Sequence, residues 1–508
     1  MGINKRGDIL MINAINREGL DNPYRGAFAL QKVSTYKYDK NVKTTFGKNL
    51  DFVLDALHLK DGMGISFHHH LRNGDFVLTM IMEKLRARGL KDLTIYASSI
   101  FPAHSILVDC IKDRTVTQIY TSYMSGPVAK AVSQGLCEKP VIMTTHGGRP
   151  RMILEKDICI DVAFIAAPAV DKSGAISGSE GPSSCGSLGY AVADAWCAQS
   201  VVAITDYLCD SVHLPDIPAG CVDFVVEVDK IGDPKGIVSG TTQITRDPVG
   251  LKIARDCRTL IEHTPFFTTG FSMQTGAGGI SLAVAAEIEK QMIKKGITGS
   301  FGCGGITGYF VGMLENGLFS DLYDVQCFDL SAISSIEKNK NHHKISADQY
   351  ANPNNPEHIA SKLDTVILGA SEIDVDFNVN VTTGSDGIIL GGSGGHADTA
   401  AGAKLTIIVS KLFNARISCL VEKVRTVTTP GETVDAFVTE RGIAIHPKHK
   451  DLIEKIKAET KLKVYTMPEL LDLARSFIGV PKTFERSGKT IGLSCYRDGT
   501  ILDTIDCV

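Results

Sequence analysis

Ile158-Cys159-Ile160-Asp161-Val162-Ala163-Phe164-Ile165 and Ser200-Val201-Val202-Ala203-Ile204 are the stretches that settle the fold class. Each is short, largely apolar and bounded by polar or turn residues, the pattern of a strand covered on both faces in a parallel sheet. Between such runs lie longer stretches with helical spacing. From Asp75 to Arg88, residues Phe76, Leu78, Ile81, Met82 and Leu85 fall on one side. Strands and helices alternating in this way predict an α/β architecture. Ser371 to Val381 reads differently: Ile373, Val375, Phe377, Val379 and Val381 alternate with acids and amides. That predicts a strand with one apolar face and one solvated face, in preference to a row of acids lining a cleft.

A chain of 508 residues, at about 100–200 residues per domain, predicts two large domains. A faint internal repeat agrees. Gly64-Ile65-Ser66 leads into a helix ending at Arg88-Gly89 and a strand at Leu93 to Ala97. Gly279-Ile280-Ser281 leads into Leu282 to Lys295, then Gly296 and a strand near Ile297 to Phe301. The boundary is expected where Gly, Ser, Thr and Asp cluster between Val238 and Pro248, giving domains 1–245 and 246–508. Pseudo-symmetric domains place ligands at their interface and at the carboxyl ends of parallel strands.

The formal net charge is −4, with 44% hydrophobic and 22% charged residues. This gives no electrostatic reason to expect nucleic acid or an anionic membrane as partner. Met1 to Leu20 is polar, and no apolar run reaches about 18 residues, so the protein is expected to be cytoplasmic. The thirteen cysteines include no C-x-x-C pair. Neither a disulfide framework nor a zinc site follows, and most should be small buried hydrophobes.

Two glycine-rich turns carry the chemistry: Thr275-Gly276-Ala277-Gly278-Gly279-Ile280 and Gly391-Gly392-Ser393-Gly394-Gly395-His396-Ala397-Asp398. Each opens onto a helix-compatible segment. Glycine allows a reacting group close to the main chain, and a helix N-terminus offers unsatisfied N–H donors to an anion or an acyl oxygen. The alternative is that each merely turns the chain.

Ile160-Asp161-Val162-Ala163-Phe164-Ile165-Ala166-Ala167-Pro168-Ala169-Val170-Asp171-Lys172-Ser173-Gly174, Gly276-Ala277-Gly278-Gly279, Gly394-Gly395-His396-Ala397-Asp398 and Val434-Asp435-Ala436-Phe437-Val438-Thr439-Glu440-Arg441-Gly442-Ile443-Ala444 occur in this order. Together they resemble the coenzyme A transferase superfamily and, over essentially the whole chain, its citrate lyase α-subunit family. The resemblance implies two tandem pseudo-symmetric open α/β domains of the coenzyme A transferase type, facing each other across a cleft. It implies an acyl transferase in which acetyl carrier protein plus citrate gives citryl carrier protein plus acetate. The partners implied are a β subunit that cleaves the citryl thioester and a γ subunit that is the acyl carrier, in an oligomeric complex. The carrier's thiol would sit on a phosphoribosyl-dephospho-coenzyme A group, with no cofactor resident on this chain.

On that resemblance the oxyanion falls to the N–H groups of Gly278 and Gly279, and contact with the thioester arm to Gly276, Gly392, Gly394 and Gly395. Many superfamily members acylate a glutamate. Leu314-Glu315-Asn316-Gly317 looks like the pattern around it, but matching helix and strand puts the nucleophile's place in Gly302-Cys303-Gly304-Gly305. Glycine cannot carry a covalent intermediate, so Gly304 and Gly305 at that catalytic place imply direct attack of citrate on the thioester through a mixed anhydride. Cys303 is the competing acyl acceptor, lacking any recognisable His or Asp partner.

Citrate needs cations. Arg72 and His69, in Phe67-His68-His69-His70-Leu71-Arg72, and Arg149 with Arg151, in Thr145-His146-Gly147-Gly148-Arg149-Pro150-Arg151, are expected in polar loops beside strand ends. Three consecutive histidines cannot all face one ion from a regular element, so no metal is assigned to His68–His70. Asn339 to Pro356, with Lys338, Lys340, His342 and His343, and the His446-Pro447-Lys448-His449-Lys450 cluster, read either as carrier-docking surfaces or as solvated loops. Other classes compete: a glutamate-nucleophile transferase of another small acid, or a non-catalytic binding or scaffolding subunit. A dinucleotide-dependent dehydrogenase is disfavoured, since neither turn shows Gly-x-Gly-x-x-Gly followed by an acid about 20 residues on.

Overall fold

Two large sheets organise the chain, one of ten strands and one of nine. The computed structural model describes residues 2–3, 9–10, 22–29, 32–238, 243–415, 417–480 and 484–508. Most of the Met1–Leu20 segment, and residues 239–242 inside the expected domain boundary, lie outside the described residues.

In the first sheet the strands, in chain order, are Gly64–Phe67, Leu93–Ala97, Val116–Thr121, Val141–Met143, Val162–Ala167, Ser200–Thr205 and Phe224–Glu227. Their spatial order is fourth, third, second, first, fifth, sixth, seventh, and they are mutually parallel. In the second sheet the corresponding strands are Met273–Thr275, Gly299–Ile306, Phe319–Cys327, His342–Lys344, Thr365–Leu368, Leu405–Val409 and Ala436–Thr439, arranged in the same spatial order and again parallel. Each sheet also carries a small three-stranded satellite, Ala169–Asp171 with Ile176–Ser177 and Leu208–Cys209, and Glu372–Asp374 with Val379–Asn380 and Leu420–Val421. The edges differ. The C-terminal hairpin, Thr490–Cys495 and Ile501–Asp506, returns to extend the first sheet beside Val141–Met143.

The expectation of a parallel α/β architecture holds. Every residue of Val162–Ala167 and of Val201–Thr205 is buried, as apolar runs flanked by crossover helices must be. The first amphipathic helix is Val77–Ala87, burying Val77, Leu78, Ile81, Met82 and Leu85. Phe76 is left half in solvent, because the helix begins only after Asp75 has accepted from the N–H groups of Val77 and Leu78. In the second half the helix is Gly279–Lys295, closed by Gly296 at φ +64°. Of the thirteen free cysteines eight are buried, four half-buried and only Cys159 exposed, as small hydrophobes would be.

Ser371–Val381 is a correction. It forms a tight hairpin, Glu372 opposite Asn380 and Ile373 opposite Val379, with Glu372, Asp374 and Asn380 buried and, of its acids and amides, only Asp376, at the turn, exposed. Local hydrogen bonding decided this: Asp374 Oδ1 accepts from the N–H groups of Asp376 (3.0 Å) and Asn378 (2.9 Å), bending the chain, while Glu372 Oε2 accepts from Asn380 Nδ2 and Arg425 N at 2.9 Å each. Strict alternation could not reveal that the acids had backbone partners.

Candidate functional site

In both sheets the strand order reverses around the first strand, which opens a crevice at the carboxyl ends. His68–Arg72 follows that strand in the first sheet, and Gly276–Gly279 follows it in the second. The two segments singled out by sequence therefore occupy equivalent places in the two halves.

The Gly276–Gly279 turn joins the buried strand Met273–Thr275 to the 17-residue helix Gly279–Lys295. Gly278 caps the helix without any side-chain acceptor, is exposed, and has open space where a Cβ would project. The N–H groups of this turn thus stand at the positive end of a long helix dipole. Gly279 is different: a Cβ there would press on the Gln243 carbonyl at 2.9 Å, and its own carbonyl accepts from Thr245 N.

Gly304 and Gly305 lie one strand away, inside Gly299–Ile306, at a register shift against Asp324–Gln326. Gly304 has φ +100°, and a Cβ on it would strike the amide of Gln274. A Cβ on Gly305 would strike the ring of Phe328. Both glycines are required by the bulge and by the side chains laid across it.

The Gly391–Gly395 loop is packed shut against the first sheet. Gly394 N donates to Ser122 O (2.9 Å), His146 N donates to Gly394 O (2.8 Å) and Met124 N donates to Gly391 O (3.2 Å). Asp398, on the following helix His396–Gly402, accepts from Thr145 Oγ1 and Gly147 N at 2.8 Å each, and Arg497 Nε lies 3.5 Å from it. Burial pushes the Asp398 carboxyl up to about 6, against the pull of Arg497 and the two hydrogen bonds.

Arg72 has φ +53° in a single turn of 3₁₀ helix, Arg72–Gly74. Its guanidinium lies over the rings of Phe328 (4.9 Å) and Phe101 (5.3 Å), and its Nη1 is buried with no hydrogen-bond acceptor among the described residues. Burial lowers its pKa, opposed by the phenols of Tyr123 and Tyr190. Arg149 is a correction of placement. It lies in the buried helix Gly148–Leu154, not in a polar loop, and is fully engaged with Asp194 (3.0 Å), Ser66 Oγ (2.8 Å) and the carbonyls of Tyr190 and Tyr96 (3.2 Å each). Arg151, on the same helix, pairs with Asp157 at 2.6 Å. Helix-compatible spacing was hidden there by Gly147, Gly148 and Pro150.

All three histidines are buried and committed. His68 and His70 meet through Nδ1, His68 Nε2 accepts from Ala166 N (2.9 Å), and His70 Nε2 accepts from Tyr190 N (3.3 Å). His69 bridges Ser98 Oγ (2.6 Å) and Gln326 Oε1 (3.0 Å), in a stack with Tyr190 and His146. Burial drives all three well below the usual imidazole range. Among the described residues no group of three or more His, Cys, Asp or Glu could hold a metal, and no helix is long and apolar enough to cross a membrane.

The two candidate nucleophiles are poorly placed. Cys303 is buried, its thiol pushed up by desolvation and donating to Gln274 Oε1 at 3.3 Å. Glu315 is exposed at the last turn of Gly308–Glu315, held by Asn339 Nδ2 at 3.1 Å. Sequence reasoning passed over Phe101, Phe328, Tyr190, Ser98 and Gln326. Phe101, Phe328, Ser98 and Gln326 share one signal, position at or just after the end of a parallel strand, whereas Tyr190 lies in the loop that leads into the helix Val192–Cys197 and carries no such signal.

The class of protein is thereby defined: a two-sheet parallel α/β protein with glycine turns and the Arg72 guanidinium, its Nη1 without an acceptor among the described residues, at the strand ends. A family model described as "Citrate lyase, alpha subunit (CitF)" matches residues 43–508. Citrate lyase alpha chains from Haemophilus influenzae (45% identical over 458 residues, 90% of this chain and 91% of that one) and Klebsiella pneumoniae (45% over 461 residues, 90% of each) are similar over the same span. The crystal structure of the α subunit of citrate lyase from Streptococcus mutans in complex with citrate superposes with a TM-score of 0.89 at 43% identity, covering 94% of this chain and 93% of that one. A malonate decarboxylase α subunit from Acinetobacter baumannii shares the fold at 17% identity, TM-score 0.61, over 87% and 88% of the two chains. The chain belongs to the citrate lyase α-subunit family. The expectation of an enzyme, the transferase subunit of citrate lyase, is borne out with it.

Proposed function

We propose that this chain exchanges acetyl for citryl on a carrier-bound thioester, acetyl carrier plus citrate giving citryl carrier plus acetate, through a mixed acetic–citric anhydride. The observation that carries the reading is the Arg72 guanidinium, clamped between Phe101 and Phe328 with Nη1 buried and unmatched. A partly desolvated guanidinium selects a carboxylate that can take two N–H donors. The citrate held by the Streptococcus mutans relative supports citrate as that anion.

A carboxylate oxygen of citrate bonds to the acetyl carbonyl carbon. The oxyanion so formed is stabilised by the N–H groups of Gly278 and Gly279 at the head of their helix, each such donor lowering the barrier by about 2.7–4 kcal/mol. Its collapse breaks the C–S bond and frees the thiolate. The thiolate then bonds to the citryl carbonyl carbon of the anhydride, and acetate leaves. Holding both reactants together contributes several kcal/mol more. The protonated, buried Cys303 and the remote Glu315 favour this route over an acyl-protein intermediate.

The thioester is assigned to a phosphoribosyl-dephospho-coenzyme A arm on a γ carrier subunit, with a coenzyme A thioester as surrogate, and the citryl product to a β subunit within an oligomer. The arm is placed at Gly276 and Gly278, while Gly392, Gly394 and Gly395 act by closing the seam between the sheets. We also read the sheets as two copies of one unit dividing near residue 245, on their shared strand order.

Incubation with acetylated carrier and citrate labelled with oxygen-18 in its carboxylates tests the route. Labelled acetate with unlabelled protein is expected. Label entering a peptide containing Glu315 would replace direct attack by a glutamyl intermediate, and no acetate would overturn the activity.

A further inference from the structure

We propose that Gln326 is a positioning residue for citrate: through His69 it fixes the place of Arg72 relative to the Gly304–Gly305 bulge. The inference rests on the assignment of citrate to Arg72.

Gln326 is buried near the carboxyl end of Phe319–Cys327 and pairs in register with Gly305. Its side chain crosses to the other sheet and grips His69 twice. Gln326 Nε2 donates to His69 O (3.3 Å), which obliges the amide oxygen to face the ring, and that oxygen lies 3.0 Å from His69 Nε2. The ring proton therefore sits on Nε2. Nδ1 is left to accept from Ser98 Oγ at 2.6 Å, while the same hydroxyl accepts from His69 N at 3.1 Å. Every polar atom of His69 is thus engaged, and the imidazole is neutral, stacked on Tyr190 at 4.7 Å.

That arrangement leaves His69 no atom with which to bind citrate, yet it controls the residue that can. Arg72 N donates to the same carbonyl, His69 O, at 2.9 Å, starting the strained turn that aims the guanidinium. On the opposite side Phe328, two residues beyond Gln326, supports that guanidinium and lies on Gly305. One amide therefore ties the cation of the first sheet to the bulge of the second. A residue gripped from both sides tolerates little displacement without loss of transition-state geometry.

Gln326→Met, similar in volume and unable to make either bond, is expected to raise the citrate KM by about tenfold or more while the acetyl-thioester KM stays within about twofold. Ser98→Ala, which cuts the other side of the same ring, should move the same parameter in the same direction by less. Arg72→Gln is run beside them, with thermal unfolding showing that each variant is folded. An unchanged citrate KM in Gln326→Met, or equal changes in both KM values, would overturn the positioning role even where Arg72→Gln raises the citrate KM. An unchanged citrate KM in Arg72→Gln would overturn the citrate assignment itself and the proposal with it.

Discussion

The turns at Gly276–Gly279 and Gly391–Gly395 look alike in sequence and do opposite things. The first faces open space: at Gly278 nothing but Ser281 Oγ, at 3.9 Å, comes near the place of a Cβ. The second is filled: the places a Cβ would take on Gly391, Gly392 and Gly395 are occupied by Val381 O, Ser122 O and the Tyr350 hydroxyl. Its backbone hydrogen bonds are spent across the sheet interface. Glycine leaves open space in one turn and admits the protein's own backbone in the other, and only the neighbours tell them apart.

The largest effect expected from this contrast is on catalysis. Gly278→Val fits the local φ of −76° and ψ of 145° but fills the open space, so transfer should fall by about 10²-fold or more, with a stability cost of about 1 kcal/mol or less. Steady-state exchange and thermal unfolding measured on the same sample check it, and undiminished transfer would erase the distinction between the turns. Gly279 is a poorer probe, because a side chain there also collides with Gln243.

Asp398 tests the closed side through pH. Its folded pKa of about 6 lies above the unfolded value of about 3.9. The folded state thus holds the proton more tightly, and stability present below about pH 4 is lost as pH rises through 6. The unfolding free energy of the unsubstituted chain minus that of Asp398→Asn should drop by up to about 3 kcal/mol between pH 4 and pH 7. A flat difference would mean that the seam does not strain this carboxylate.

Smaller effects should follow at the glycines themselves. Gly392→Ala drives a methyl into Ser122 O and should cost about 1–3 kcal/mol in denaturant unfolding. Gly394, at φ +51° with only the His146 ring at 3.4 Å, should lose about 1 kcal/mol on substitution by Ala and recover part of it as Asn, which tolerates the left-handed region. Equal losses for Ala and Asn would show that space, not backbone conformation, sets the requirement.

Much of the fold was legible because burial on both faces leaves a mark on consecutive residues, as in Val162–Ala167, and because helix spacing repeats within one element. The hairpin at Glu372–Asn380 was misread, since the backbone donors that hold its acids belong to other residues. Arg149 read as a loop cation for a different reason: Asp194 and Ser66, which claim it, are 45 and 83 residues away, whereas the N–H groups that hold Asp374 are two and four residues on.

By itself the sequence determined the α/β class, most of the strands and helices, the family and the short list of glycines and arginines, because these depend on local pattern and on residues in order. Tertiary structure alone decided which glycine turn stays open, that Arg72 Nη1 is buried without an acceptor among the described residues while the Arg149 guanidinium is taken up by Asp194 and Ser66, and that His69 is held by Gln326 and Ser98. Each of those depends on what arrives from another strand end, and burial acts on a group only through the atoms that surround it in space.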